Sequence, residues 1–252
     1  MRALTGELLL TAWDEGKDQH ALVQGLILLS MALPKSDREK LGGLSLAERN
    51  LLLLHLHDLT FGPVLQGFSV CLHCSAQLEF TVPVAGLIGH VQSQLCEGPV
   101  SWEHDGRQYQ LRPVTSGDLL AILDAPGARE AENQLLQRCL TVFGESTSRE
   151  ELTRSTEASG ATPPEAFSAA LQNFEQLHAA AELSCAVHCA ACSHRETLEL
   201  DIAQFIWIKV RSAAKRLLAE VHELAWAYGW SEEAILRMSP HRRHAYMEIL
   251  GG

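Results

Sequence analysis

Two short stretches decide the reading of this chain: Cys71-Leu-His-Cys74-Ser75 and Cys189-Ala-Ala-Cys192-Ser193, which align without a gap at an offset of 118 residues. The match continues at the same offset. Phe80, Val82, Val84, Ala85, Leu87 and Ile88 correspond to Leu198, Leu200, Ile202, Ala203, Phe205 and Ile206. Each copy reads as a knuckle, an alternating strand and the start of a helix. A Cys-x-x-Cys turn sets two thiolates on one side of a tetrahedral ion, and a second knuckle supplies the other two. One structural Zn²⁺ on Cys71, Cys74, Cys189 and Cys192 is therefore the leading expectation, with the intervening residues inserted between the halves of a zinc ribbon. Two other readings stay open. Reactive dithiols usually sit at helix N-termini, whereas both pairs here run into strands. Two separate sites would need substitutes such as His73, Cys185, His188 or His194, and Cys185-x-x-His188 beside Cys189 keeps that alternative alive. Cys96 and Cys139 have no partner spacing and read as packing residues.

Working outward, the 252 residues are 46% hydrophobic and 20% charged, the balance of an ordinary soluble globular protein. The longest mostly apolar stretch, Ala21 to Leu33, contains Gln24, Gly25 and Ser30. It falls short of the roughly 20 residues a bilayer requires and reads as a core helix. Glu7, Asp14 and Glu15 interrupt any export signal, so a cytoplasmic location is expected and no membrane partner. Residues 195–252 are neutral, so the whole net charge of −11 resides in residues 1–194. No segment is basic enough to neutralise phosphates, which argues against nucleic-acid binding. The chain has no His-Glu-x-x-His helix, no Gly-rich phosphate loop and no nucleophile elbow. A catalytic metal also needs an open coordination position, which four cysteines do not leave. The expectation is a non-enzyme with no small-molecule substrate.

The predicted architecture is α+β, mostly helical: split zinc-ribbon strands with a helical insertion and a C-terminal helical tail. Residues 1–62 read as an N-terminal helical region, in which Ser45 and Glu48 form a capping box for a Leu-rich helix carrying His55, His57 and Asp58. His55 and Asp58 are spaced to share a metal, but such a pair is more simply a polar edge or satisfied core. Residues 63–90 hold the first knuckle half. Residues 91–181 hold a hairpin turning at Asp105-Gly106, a helix capped by Ser116, a helix from Ala128 to about Leu140, and a flexible linker over 144–163. Pro164 and Glu165 open the next helix. Residues 182–202 hold the second knuckle half, and 203–252 the C-terminal helices. There Ile206, Val210, Ala213, Leu217, Val221, Leu224 and Tyr228 recur on one face, stopped by Gly229. Trp207, Ile208, Leu218 and Trp226 fall off that stripe and Trp230 follows it. This leaves either a second contact surface or cover by another helix of the same chain.

Four features together resemble one family: Leu44-Ser-Leu-Ala-Glu-Arg-Asn before the Leu-rich helix; the first knuckle after Phe61-Gly62; the second knuckle leading into Asp201-Ile-Ala-Gln-Phe-Ile-Trp; and the ending from Glu220 to Tyr246, with Trp-Ala-Tyr-Gly-Trp-Ser at its centre. The chain resembles the T4-type baseplate hub and hub-assembly proteins of contractile phage tails and phage-derived injection systems, over most of residues 44–250. The resemblance implies a structural or chaperone-like assembly role, other baseplate or tail proteins as partners, incorporation into a phage tail-like particle, and no chemistry. In such a role Trp207, Trp226, Tyr228 and Trp230 would anchor subunit contacts. Leu72, Ala190, Ser75 and Ser193 stand where Pro and Gly are expected around the knuckles, and a residue after the second Cys often needs a left-handed backbone. The alternative class is a zinc-ribbon regulator that binds nucleic acid.

Overall fold

The repeat at 118 residues extends to the backbone. In the first copy β1 (Val64–Val70) ends and β2 (Gln77–Pro83) begins around the knuckle, and α5 starts at Val84 (Val84–Gln94). In the second copy β6 (Ser184–His188) ends, β7 (Arg195–Glu199) begins and α9 (Ile202–Tyr228) starts at the equivalent positions. The structure, a computed structural model, describes residues 1–96, 98–104, 107–143 and 165–251. The Asp105-Gly106 turn, Pro164 and the 144–163 linker lie outside them.

The remaining elements are α1 (Gly6–Gly16), α2 (Ala21–Ala32), α3 (Arg38–Gly42), α4 (Leu46–Phe61), β3 (Val100–His104), β4 (Arg107–Leu111), α6 (Ser116–Ala121), α7 (Ala128–Cys139), β5 (Leu140–Phe143), α8 (Glu165–His178), α10 (Glu232–Leu236) and α11 (Pro240–Gly251). The fold is α+β and mostly helical, with small sheets β1-β2, β3-β4-β5 and β6-β7. Among the described residues no helix is long and apolar enough to cross a membrane.

The chain divides into two compact units. One comprises Met1–Arg38, Leu53–Val64 and Asp201–Gly252, and the other Glu39–Leu52 and Leu65–Leu200. In the first unit α1, α2 and α9 pack together, with Ile27, Leu28, Leu29, Ile206, Val210 and Leu224 buried. Each fully buried side chain of this size contributes about 1.5–3 kcal/mol. Gln24 is tolerated inside the apolar α2 because its amide donates to the carbonyls of Gly16 (2.9 Å) and Gln19 (3.0 Å). Asp201 caps α9 by accepting from the Gln204 N–H, and Gly229 ends it at φ 68°. The buried Arg243 of α11 donates to Glu220 of α9 at 2.9 Å, tying the last helix to the long one.

The second unit carries the knuckles and the insertion. Ser45 and Glu48 form the expected capping box. The helix read as capped by Ser116 is capped by Thr115 instead, which closes a box with Asp118; Ser116 is buried and accepts a hydrogen bond from Arg49. The helix predicted to reach Leu140 ends at Cys139, and Leu140-Thr-Val-Phe143 joins the hairpin as a third antiparallel strand. Trp102 and Tyr109 face each other across β3 and β4 and stack at 5.4 Å.

Two buried histidines make stability depend on pH. His57 is fully buried between Phe61 and Phe205, and neither ring nitrogen makes a hydrogen bond of normal geometry among the described residues. Burial, then the Lys209 charge, hold its pKa below the usual value. In the second unit His178 bridges the Phe174 carbonyl through Nδ1 (2.6 Å) and the Val114 N–H through Nε2 (2.9 Å), a pattern that needs the neutral ring, and burial lowers its pKa too. Both rings stay neutral in the fold while the unfolded chain takes up protons below a pH of about 6.5. Stability is therefore complete above that pH and is lost as pH falls below it. His57→Leu is expected to raise stability by about 1 kcal/mol at neutral pH and to flatten the acid side of the curve. Thermal melts of both proteins between about pH 5 and pH 8 check this, and parallel curves would contradict it.

Candidate metal centre

The two knuckles are built alike because their sequences impose the same backbone. In the first, the Cys71 N–H donates to the Ala76 carbonyl (2.9 Å) and the Ser75 N–H to the Cys71 carbonyl (2.9 Å). In the second, the Cys189 N–H donates to the His194 carbonyl (2.8 Å) and the Ser193 N–H to the Cys189 carbonyl (2.9 Å). Ser75 (φ 59°) and Ser193 (φ 60°) are the positive-φ non-glycine residues among those described. The left-handed turn predicted after the second cysteine is thus made twice, by serine. An L-residue there costs roughly 1–2 kcal/mol, and both copies retain it.

This geometry brings the thiols together across the repeat. Cys71 Sγ lies 3.7 Å from Cys192 Sγ, and Cys74 Sγ lies 3.6 Å from Cys189 Sγ. All four sulfurs lie within 4.8 Å of one another. The contacts are far too long for disulfides, and all four cysteines are free. A tetrahedral tetrathiolate with metal–sulfur bonds of about 2.3 Å has edges of roughly 3.8 Å, so the spacing fits one shared ion. Cys71 and Cys189 are buried with Leu78 and Val187, while Cys74 is exposed. The Cys189 thiol is lowered to about 7, chiefly by the Cys192 backbone N–H, which favours its thiolate. Cys192 is pushed up to about 12: the His194 backbone N–H favours its thiolate, but burial and three neighbouring thiols outweigh it. Four thiolates this close repel, and an ion that binds them displaces their protons.

The other residues singled out in the sequence fall elsewhere. His73 and His194 stack on each other at 5.6 Å, flanking the centre, and neither belongs to the ligand group. Cys185 packs against the buried cysteines, and His188 is exposed. His55 and Asp58 do not join the group either. Cys139 is buried as expected, and burial raises its thiol to about 11. Cys96 is exposed, so the packing role predicted for it does not hold. Trp207 is also corrected: it is buried over Gly16, where a Cβ would lie only 2.4 Å from its ring, so it is a core residue and not a contact anchor. Tyr228 and Trp230 stack at 4.5 Å and meet Tyr246 of α11 edge-on, so a helix of the same chain covers them. Trp226 is 88% exposed.

One cluster had no sequence signal. The Asp118 carboxylate, 2% exposed, accepts from Arg112 (2.6 and 2.8 Å), Arg138 (2.9 Å) and Thr115 (2.8 and 3.1 Å). Against its own burial, Arg112, Thr115 and Arg138 hold its carboxyl well below the usual range.

Replacing Cys71 or Cys189 by Ser is expected to release bound metal and lower the melting midpoint by ~10 °C or more. Equal metal content in variant and wild type, by elemental analysis, would refute the shared site. Ser75→Gly and Ser193→Gly relieve the left-handed strain and are each expected to stabilise by about 0.5–1 kcal/mol, seen as slower metal loss to a chelator. Faster loss in either glycine variant would show that the serines serve the turn in some other way.

Comparison with protein-family models, with curated proteins and with solved structures finds no match to this chain.

Proposed function

We propose that this protein is a structural or assembly component of the baseplate hub of a contractile phage tail or tail-like injection particle, and that the ion on its four cysteines is Zn²⁺ in a structural role. The observation that carries the non-catalytic part is the closure of the centre. Four sulfurs within 4.8 Å of one another fill a tetrahedral shell and leave no position for water or substrate. Thiolate donors in that geometry favour zinc among common biological cations. The family resemblance over most of residues 44–250 supplies the tail context.

A protein partner also suits the surface. Phe68 and Val70 on β1 and Leu72 in the knuckle turn are 75%, 53% and 87% exposed. At the equivalent positions of the second copy stand Ala186, His188 and Ala190, so the repeat itself does not require this apolar stripe. Trp226 adds a single exposed aromatic. Against the nucleic-acid regulator stands the net charge of −11.

The test is a tagged pull-down from the native host, read by mass spectrometry with zinc quantified on the same eluate. Tail-tube, spike or baseplate-wedge proteins are expected with about one zinc per chain. Nucleic acid or polymerase subunits without tail proteins would overturn the reading in favour of the regulator. Phe68→Ser with Leu72→Ser, and separately Trp226→Ala, are expected to lower recovery of those partners while leaving the melting midpoint unchanged.

A further inference from the structure

The Asp118 cluster does more than hold the insertion together. Its two guanidinium groups share one carboxylate, so the cluster carries a surplus positive charge within a chain of net charge −11. The two arginines are used differently. Arg112 spends both terminal nitrogens on Asp118 and on the carbonyls of Pro113 and Arg138. Arg138 donates to Asp118 through Nε alone, at 2.9 Å. Its Nη1 and Nη2 have no partner among the described residues. A buried carboxylate thus fixes one edge of the Arg138 fork and leaves the other edge free.

Arg138 lines a cleft of about 500 Å³ together with Arg112, Ala121, Ile122, Gln134 and Gln137. No acidic side chain is among the described lining residues. Gln134 is held by a hydrogen bond to Glu130 on the same helix (2.9 Å), whereas the Gln137 amide has no partner among the described residues. Gln134, Gln137 and Arg138 sit at i, i+3 and i+4 of α7, on one helix face. Two unspent N–H groups of a planar fork, beside a free amide and a short apolar wall, match a carboxylate better than a compact spherical anion. Holding the guanidinium in place beforehand also removes much of the ordering cost of binding.

We propose that this cleft is a binding site for a carboxylate, gripped by the Nη edge of Arg138 with Gln137 beside it and oriented from beneath by Asp118. The carboxylate belongs either to a small organic acid or to the free end of a peptide. The proposal is independent of the baseplate reading.

The experiment titrates succinate into the ¹⁵N-labelled full-length protein at constant ionic strength and follows the amide signals of Gln134 to Cys139. Saturable shifts with a Kd on the order of 1 mM are expected. Arg138→Gln is expected to weaken binding at least tenfold. Because that variant also loses a bond to Asp118, Gln137→Ala serves as the second test: its melting midpoint should not change, while its Kd rises several-fold. A peptide with a free C-terminus and its amidated form separate the two sources. Tighter binding of the free peptide than of succinate assigns the site to a chain end, and equal or weaker binding assigns it to a small acid. Non-saturable shifts, unchanged affinity in Gln137→Ala, or tighter binding of inorganic phosphate than of succinate would each overturn the proposal.

Discussion

The contact between two pairs of thiols, Cys71 with Cys192 and Cys74 with Cys189, joins segments more than a hundred residues apart in the chain. Everything built around the knuckles depends on that closure. Holding a loop of this length shut costs on the order of 4–5 kcal/mol of chain entropy. The apolar contacts at the closure are few: Leu78 and Val187 are buried beside the cysteines, with Phe80 and Leu198 partly so. They return a few kcal/mol at most, and Glu196, which stands where the first copy has Leu78, sets buried carboxylate oxygens without a partner among the described residues against that gain. A structural ion on four thiolates supplies roughly 10–16 kcal/mol in small zinc-binding peptides at neutral pH. Apolar contact alone leaves the closure marginal, and an ion bound at the four thiolates would make it secure.

The repeat explains why the four sulfurs meet so evenly. Each pair joins the first cysteine of one knuckle to the second cysteine of the other, the reciprocal pattern that a two-fold relation generates. The relation depends on matching backbones more than on matching side chains. Ser75 and Ser193 hold the same left-handed angle, and the same two hydrogen bonds close each turn. Glycine at one turn and not the other would have left the knuckles unequally strained. With serine at both, the cost is shared and the geometry is the same.

The centre was legible in the sequence because Cys-x-x-Cys spacing is a local property, and duplication of the following strand and helix start supplied an internal check. Caps and helix faces were legible for the same reason, as the Ser45 box and the α9 stripe show. What escaped was set by neighbours distant in the chain. The burial of Trp207 depends on Gly16, whose missing side chain makes room for the indole. The strand Leu140–Phe143 is only four residues long and exists because β4 offers it an edge. Thr115 caps α6 in preference to Ser116 because Asp118, three residues on, closes the box with it. The grouping of Arg112, Asp118 and Arg138 follows from where a hairpin and a helix meet, for which no spacing rule exists.

The two copies also differ where they face solvent. Inside, matched positions hold the four cysteines and the left-handed serines. Outside, the first copy carries Phe68, Val70 and Leu72 where the second carries Ala186, His188 and Ala190. Hydration disfavours the exposed apolar side chains, and the second copy shows that the hairpin forms without them. The knuckle therefore constrains the ligands and the turn and leaves the outer face free to diverge. With an ion bound at the four cysteines, the turn beneath that face would be held rigidly, and a partner docking there would not have to order a loop first.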